Sequence, residues 1–355
     1  MHMRGSVSGY IWILLAALLW SLLGVLSKFC LQAGVAPLET AFWRAALGCA
    51  LFFLHAGLTG ALRVRPLHAL AFMAFGVWGV GVFFGAMQYS IKLSGGATAV
   101  VLLYTAPVWV AVFSRLLFRE RITGRKATAI LAALAGTALV CLSGGSLPGE
   151  PSAAGIACGL LAGLCYATHY PFYRWWQPRY GTAAIYAFML LGGILALTPW
   201  VPLPPHYNPT TWGWLSALGL LTCYLAYICY GQGLQKISLV RAAVTCHLEP
   251  VLGTLWVWLF WDETFPPTGW LGGALVLAAV ALLSTDSSRE SRAQTAGHRF
   301  KKVTVPTSVV KRANTLRFTC NGPKHVAAFF LKERKRPRPP LGRPGPCKYC
   351  QADGQ

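Results

Sequence analysis

Charge is scarce in these 355 residues: 12% are Asp, Glu, Lys or Arg, and just 10 are acidic. A water-soluble domain usually carries about 25% charged residues, so this composition excludes an ordinary globular enzyme. Metal motifs are missing too. There is no H-x-x-H, no H-E-x-x-H and no acidic cluster, which disfavours metal-assisted hydrolysis. Cys347 and Cys350 form a lone C-x-x-C with no second pair to complete a zinc site. Framework cysteines are also missing. Of 11 cysteines, eight (Cys30, Cys49, Cys141, Cys158, Cys165, Cys223, Cys229, Cys246) are scattered in or beside apolar runs. They read as small packing residues, not as disulfide staples. The first apolar run lacks a small-residue cleavage site and is expected to be a membrane helix, not a signal peptide. No gap before Ser284 is long enough for a soluble domain.

What remains is hydrophobic. The apolar share is 55% and the mean hydropathy +0.51. Ten apolar runs stand out at about Tyr10–Leu31, Leu38–Leu58, Leu67–Ile91, Ala97–Phe118, Lys126–Leu142, Ala154–Tyr173, Thr182–Trp200, Thr211–Gly233, Leu239–Trp261 and Thr268–Ser284. Each is near the 20 or so residues a helix needs to cross the bilayer. The net charge of +21 is unevenly spread: 16 of the 31 Lys/Arg lie from Thr285 onward. Residues 285–355 are therefore expected to be a basic, Pro-rich cytoplasmic tail, disordered and drawn to anionic lipid rather than to nucleic acid.

The run Lys236–Glu263, KISLVRAAVTCHLEPVLGTLWVWLFWDE, is unlike a plain anchor. Glu249 sits near its centre, where an ionisable group is costly. Pro250 follows and deprives the Cys246 carbonyl of its helical donor. Broken backbone at that depth is tolerated only against protein or a water-filled cavity. A weaker copy runs from Lys92 to Glu120. The interval from Pro107 to Pro250 equals that from Glu120 to Glu263, and Gln88 and Gln232 match it to within a single position. LLAALLWS (Leu14–Ser21) similarly matches LLAGLCYA (Leu160–Ala167). The chain reads as two repeats, 1–143 and 154–284, each with five spans. Paired, interrupted hydrophobic segments point to a transporter site at the membrane midplane.

Arg4, Arg63, Arg65, Arg119, Arg121, Arg125, Lys126, Arg174, Arg179, Lys236 and Arg241 fall at alternate ends of successive spans. Glu39, Glu150, Asp262 and Glu263 occupy the other ends, with Lys28 and Lys92 as exceptions. The positive-inside rule puts both termini in the cytoplasm. Five spans per repeat then require the halves to insert upside down to one another. The expected fold is all-α and integral to the membrane: ten transmembrane helices in two inverted five-helix repeats. Gly155, Gly159 and Gly163 on the sixth span, and Gly81 and Gly85 on the third, are candidate close-approach positions.

AALLWSLLGVLSK, AFWRAAL, ATAVVLLYTAPVWVAVFSRLLFRERIT and AAVTCHLEPVLGTLWVWLFWDE together resemble the EamA family of the drug/metabolite transporter superfamily, over about Tyr10 to Ser284. The resemblance implies a secondary active transporter, a multi-pass permease of the inner (plasma) membrane for a small metabolite such as an amino acid or drug-like compound, often in efflux. It implies no cofactor and no enzymatic activity. A membrane-embedded enzyme or lipid-handling flippase of similar build is the alternative.

Glu249 is the leading candidate on the pathway, as proton carrier or partner for a substrate amine. As a structural group it would simply bond neighbouring helices at the Pro250 break. Arg44 is positioned to pair with Glu39 or Glu249, or to snorkel. His247 and His169 are able to relay protons or to bond backbone carbonyls as neutral rings. Trp20, Tyr104 and Tyr166 occupy mid-span positions suited to an amphipathic cavity or a core. Gln88 and Gln232 join the set because they match across the repeats, and Pro107 and Pro250 mark the helix breaks.

Overall fold

In the computed structural model, residues 2–143, 152–202, 206–261 and 266–300 are described; Glu150, Asp262, Glu263 and the tail beyond 300 lie outside them. The described residues from Val7 to Thr285 contain ten helices long and apolar enough to cross a membrane: Val7–Gln32, Pro37–Leu58, Pro66–Ser94, Gly96–Phe118, Gly124–Leu142, Ala153–Trp176, Thr182–Trp200, Pro209–Leu234, Leu239–Phe260 and Pro267–Thr285. They agree with the ten apolar runs to within a few residues, because hydropathy sets where a helix can lie in a bilayer. Their ends follow local chemistry. Pro37, Pro66 and Pro209 occupy first helical positions, where a missing N–H is no loss. Ser152 and Asn208 cap their helices by accepting from Gly155 N and Thr211 N. The third and fourth spans are joined at Gly95, whose φ of 80° favours glycine.

Four spans are interrupted, in two matching pairs. The third contains a π-helical turn at Val77–Val82 and the eighth one at Leu218–Leu225. The fourth divides into Gly96–Leu103 and Ala106–Phe118, the ninth into Leu239–Cys246 and Leu248–Trp261. Pro107 and Pro250 sit in the first turn of the second half-helices, where the absent N–H would have had no helical acceptor.

Packing repeats in the same register. The second span crosses the eighth with Gly48 and Gly219 at the contact; a Cβ on them would lie 2.4 Å from Cys223 Sγ and 2.5 Å from Leu47 Cβ. The third crosses the seventh with Gly76 and Gly192, where a Cβ would come within 1.8 Å of Met189 O and 2.0 Å of Met73 O. Gly76 and Gly219 are separated by the interval that separates the two prolines, and Gly48 and Gly192 by that which separates Gln88 and Gln232. Both crossings therefore use repeat-equivalent glycines. The stripe Gly155, Gly159, Gly163 packs on the ends of the third and fourth spans, where the nearest atoms are Ser94 Oγ, Leu102 Cδ1 and Leu102 O. Gly81 likewise meets Ala196, but Gly85 has nothing within 4 Å. Its side of the helix is open, so the expectation of a close approach there was wrong.

The main core joins both halves. Phe52, Phe72, Tyr170, Tyr173, Tyr186 and Tyr230 are among its fully buried side chains. Burial is uneven between the repeats: all eight residues of Leu239–Cys246 are buried, whereas Ala99 alone is buried in its counterpart Gly96–Leu103.

Candidate functional site

A cavity of about 160 Å³ lies within the bundle, walled by the first four and the sixth to ninth spans. Six of the nine pathway residues named from the sequence line it: Trp20, Arg44, Tyr104, Tyr166, His169 and Glu249. His247 is packed behind the wall, 1% exposed. Gln88 and Gln232 are half-buried and outside the lining. Pro107 and Pro250 shape the neighbouring breaks without lining the cavity. Phe83, Phe84, Met87 and Tyr227 line it and were not singled out from the sequence. The sequence signal for them was no more than the mid-depth position of Phe83 and Phe84 in the third span.

Each polar lining group is held by a backbone irregularity. Glu249 lies in the first turn of the half-helix Leu248–Trp261, where unpaired N–H groups favour a carboxylate. The groups acting on it are the Tyr104 side chain and the charge of Arg44. Its counterpart in the first repeat, likewise just before the proline, is Ala106.

His169 and Arg44 serve the two π-turns. In a π-turn the hydrogen-bond ladder slips by one residue and exposes a carbonyl. His169 Nε2 lies 2.9 Å from Gly79 O, and Arg44 Nη2 donates to Thr222 O at 3.1 Å. Gly79 and Thr222 are repeat equivalents, set apart by the same interval as the prolines. Equivalent carbonyls thus find donors on non-equivalent spans, the sixth and the second. A Cβ on Gly79 would lie 2.7 Å from His169 Nε2, so a larger residue there would displace the imidazole from its place on the carbonyl.

His247 joins the two helix breaks. The N–H of Val108 bonds Thr105 O and that of His247 bonds Val244 O, so the Tyr104 and Ala243 carbonyls lose their usual helical donors. One imidazole meets both: Nε2 lies 3.0 Å from Tyr104 O and Nδ1 3.2 Å from Ala243 O. The orphaned carbonyls are therefore close neighbours of the Leu103 and Cys246 carbonyls expected from the two prolines. His247 and Tyr104 are themselves repeat equivalents, and their rings pack edge to face at 5.1 Å.

Of the two carboxylates expected as partners of Arg44, Glu249 shares the cavity with it and Glu39 is engaged elsewhere. The Glu39 carboxylate accepts from Tyr207 Oη at 2.7 Å and from Ala36 N. Burial and that carboxylate push the Tyr207 hydroxyl, in the loop before the eighth span, up to about 12, so it remains a donor at neutral pH. Aromatic rings complete the walls. Trp20 packs on Tyr227 and Tyr230 at 5.5 and 5.4 Å, and Tyr166 stacks on Phe83 at 6.2 Å. Among the described residues no group of three or more His, Cys, Asp or Glu is arranged to hold a metal ion.

The EamA-like transporter family model matches this chain twice, over residues 7–142 and 153–285. The chain belongs to that family. It is similar to the uncharacterized inner membrane transporter YicL of Salmonella typhimurium, with 26% identity covering 82% of this chain and all of the relative. The pseudopaline exporter CntI of Pseudomonas aeruginosa is 27% identical over 78% of this chain and 96% of its own length. The probable terminal-alkyne amino-acid exporter of Streptantibioticus cattleyicolor is 24% identical over 61% and 75%. One solved crystal structure superposes with a TM-score of 0.68 at 20% identity, covering 81% of this chain and 99% of the other; it supports the fold. The protein is thus a multi-pass membrane transporter, with the bilayer and a small molecule as its partners.

Proposed function

We propose that this transporter exports a small amphipathic metabolite of amino-acid type by alternating access, with Glu249 as the coupling carboxyl. The observation that carries the reading is an asymmetry. Repeat-equivalent helix breaks border one cavity, yet only the second-half break brings a carboxylate to it, and the first-half counterpart is Ala106. Packing of two equal halves supplies no reason for a single buried acid. A protonation or amine-binding site that must empty at each turnover does supply one. The cavity volume of about 160 Å³ is near that of a void that takes one benzene, about 150 Å³, which favours a small metabolite over a drug-sized one. Two relatives named as exporters, one of an amino acid, support the direction and cargo class.

Orientation follows the charge pattern. The basic ends of the spans are cytoplasmic, both termini included, and residues 1–143 and 154–284 are inverted repeats. Equivalent π-turns, breaks and glycine crossings support an axis of two-fold pseudosymmetry, and five crossings per repeat support its lying in the membrane plane.

Glu249→Gln in liposomes tests the coupling. The variant should insert normally and exchange labelled amino acid across the membrane, while uptake driven by a proton gradient is lost. A pH profile and gradient dependence equal to wild type would make Glu249 a structural group.

A further inference from the structure

We infer that Arg44 is the subsite for an acidic group on the cargo and the residue that selects an amino acid over the corresponding amine or amide. The inference rests on the cargo class proposed above and extends it to a second contact point. Arg44 is 8% exposed and lines the cavity from the second span. A guanidinium cannot shed its charge, so a buried one needs compensation from hydrogen bonds or an anion. One bond is present, from Nη2 to Thr222 O. Nε is buried with no hydrogen-bond partner among the described residues. Phe84 covers one side of the group, with Cζ 5.9 Å from the ring centroid. The nearby acid on the same span, Glu39, is spent on Tyr207 and Ala36. What the cavity presents is therefore a fixed cation whose buried Nε–H is unused, in a lining shared with one carboxyl and several aromatic rings.

That pattern suits a zwitterion. The cargo's carboxylate takes the Arg44 Nε–H, its amine faces Glu249, and its apolar part lies against rings such as Phe83 and Tyr227. The Thr222 bond matters here because it holds the guanidinium in place before cargo arrives, so little side-chain entropy is lost on binding. An amide offers the Arg44 Nε–H only a neutral acceptor, a weaker hydrogen bond than the carboxylate makes. Hydrogen bonds between charged groups at such a site are worth a preference of roughly 10- to 100-fold.

The test uses the full-length protein, purified and reconstituted, with leucine, methionine and phenylalanine each compared with its own amide. Wild type should bind or exchange at least one acid about tenfold or more better than its amide. Arg44→Gln keeps an N–H donor for Thr222 O and removes the charge. It should lose the acid preference, acid and amide then being bound to within about twofold of one another. Should that variant fail to insert, Arg44→Lys serves. An ammonium is a point charge unable to hold Thr222 O and the cargo in one fixed geometry, so the preference should fall by about tenfold. Preference for the acid that survives either substitution overturns the assignment while leaving the cargo class standing. So does a wild type that binds acid and amide alike. Binding of neither set overturns both the subsite and the amino-acid cargo on which it rests.

Discussion

His247 offers the sharpest test of how the interior is held together. Its ring lies between two carbonyls that the helix breaks have orphaned, Tyr104 O at 3.0 Å and Ala243 O at 3.2 Å. A neutral imidazole has one N–H, so it donates fully to one of them, and a side-chain amide at the same place donates equally well. His247→Gln should therefore lose less than about 1 kcal/mol, in line with membrane hydrogen bonds that average about 0.6 kcal/mol. His247→Leu leaves both carbonyls facing hydrocarbon at a site 1% exposed. A bare buried acceptor costs about 1–3 kcal/mol, and folding within a bilayer returns little for the added apolar surface. The expected loss is about 2 kcal/mol, with the fourth and ninth spans no longer tied at their breaks. Reversible unfolding of the purified variants in mixed micelles, titrated with a denaturing detergent, measures both. Equal stability of the Leu and Gln variants would mean that the imidazole is not what satisfies these carbonyls.

Gly76→Ala should cut the yield of folded protein sharply, because its Cβ would lie 1.8 Å from backbone Met189 O, while Gly85→Ala on the same span meets nothing within 4 Å and should be neutral or slightly stabilising; fluorescence size-exclusion profiles compare the two, and equal profiles would contradict the crossing. Tyr207→Phe removes the hydroxyl that Glu39 holds at 2.7 Å and should lower thermal stability by about 1 kcal/mol or less, read as a shift in melting midpoint. In wild type that bond should persist as pH rises from 7 toward 11, since the hydroxyl is held up to about 12 and stays protonated. On the proposed orientation, reporters fused after Ser284 and between Arg121 and Lys126 should both read cytoplasmic; opposite readings would contradict an inverted repeat.

The span positions were legible because hydropathy and length are the bilayer's own criteria. The repeat was legible because Pro107, Pro250 and their flanking motifs keep a constant spacing. Glu249, Arg44, Trp20, Tyr104, Tyr166 and His169 could be found by one rule: polar or amphipathic groups at mid-depth must face something other than lipid. That rule fails in two ways. It overreaches with Gln88 and Gln232, since a half-buried amide near the packed end of a span is also off the lipid face. It is blind to Phe83, Phe84 and Tyr227, because aromatic residues are equally at home against lipid, core or cavity. The π-turns left no mark in the pattern of residues. They show only in three dimensions, where the Gly79 and Thr222 carbonyls meet His169 and Arg44. His247 was noticed for its titratable ring, while its place between the Tyr104 and Ala243 carbonyls depends on which carbonyls the breaks orphan, one residue after Leu103 and three before Cys246.

The two halves share a plan but are not in the same state, and that difference bears on mechanism. Leu239–Cys246 is buried throughout, whereas its counterpart Gly96–Leu103 buries Ala99 alone. Identical packing of two equivalent half-helices would have buried both or neither. On the proposed orientation Leu239–Cys246 belongs to the cytoplasmic half of the bundle and Gly96–Leu103 to the outer half, a difference that fits an outward-facing state of the proposed alternating-access cycle. Exchange of the two environments, with Gly96–Leu103 packed and Leu239–Cys246 loosened, describes an inward-facing partner state without any new fold. The tie from His247 to Tyr104 lies at the junction of these half-helices, and the caps on Gly79 and Thr222 lie at the π-turns beside the same cavity. Rearrangement can then pivot about these points while the half-helices on either side of them trade burial. On the proposed coupling role, Glu249, two residues beyond His247 at that junction, is the cavity carboxyl whose change of protonation or occupancy would act on the pivot.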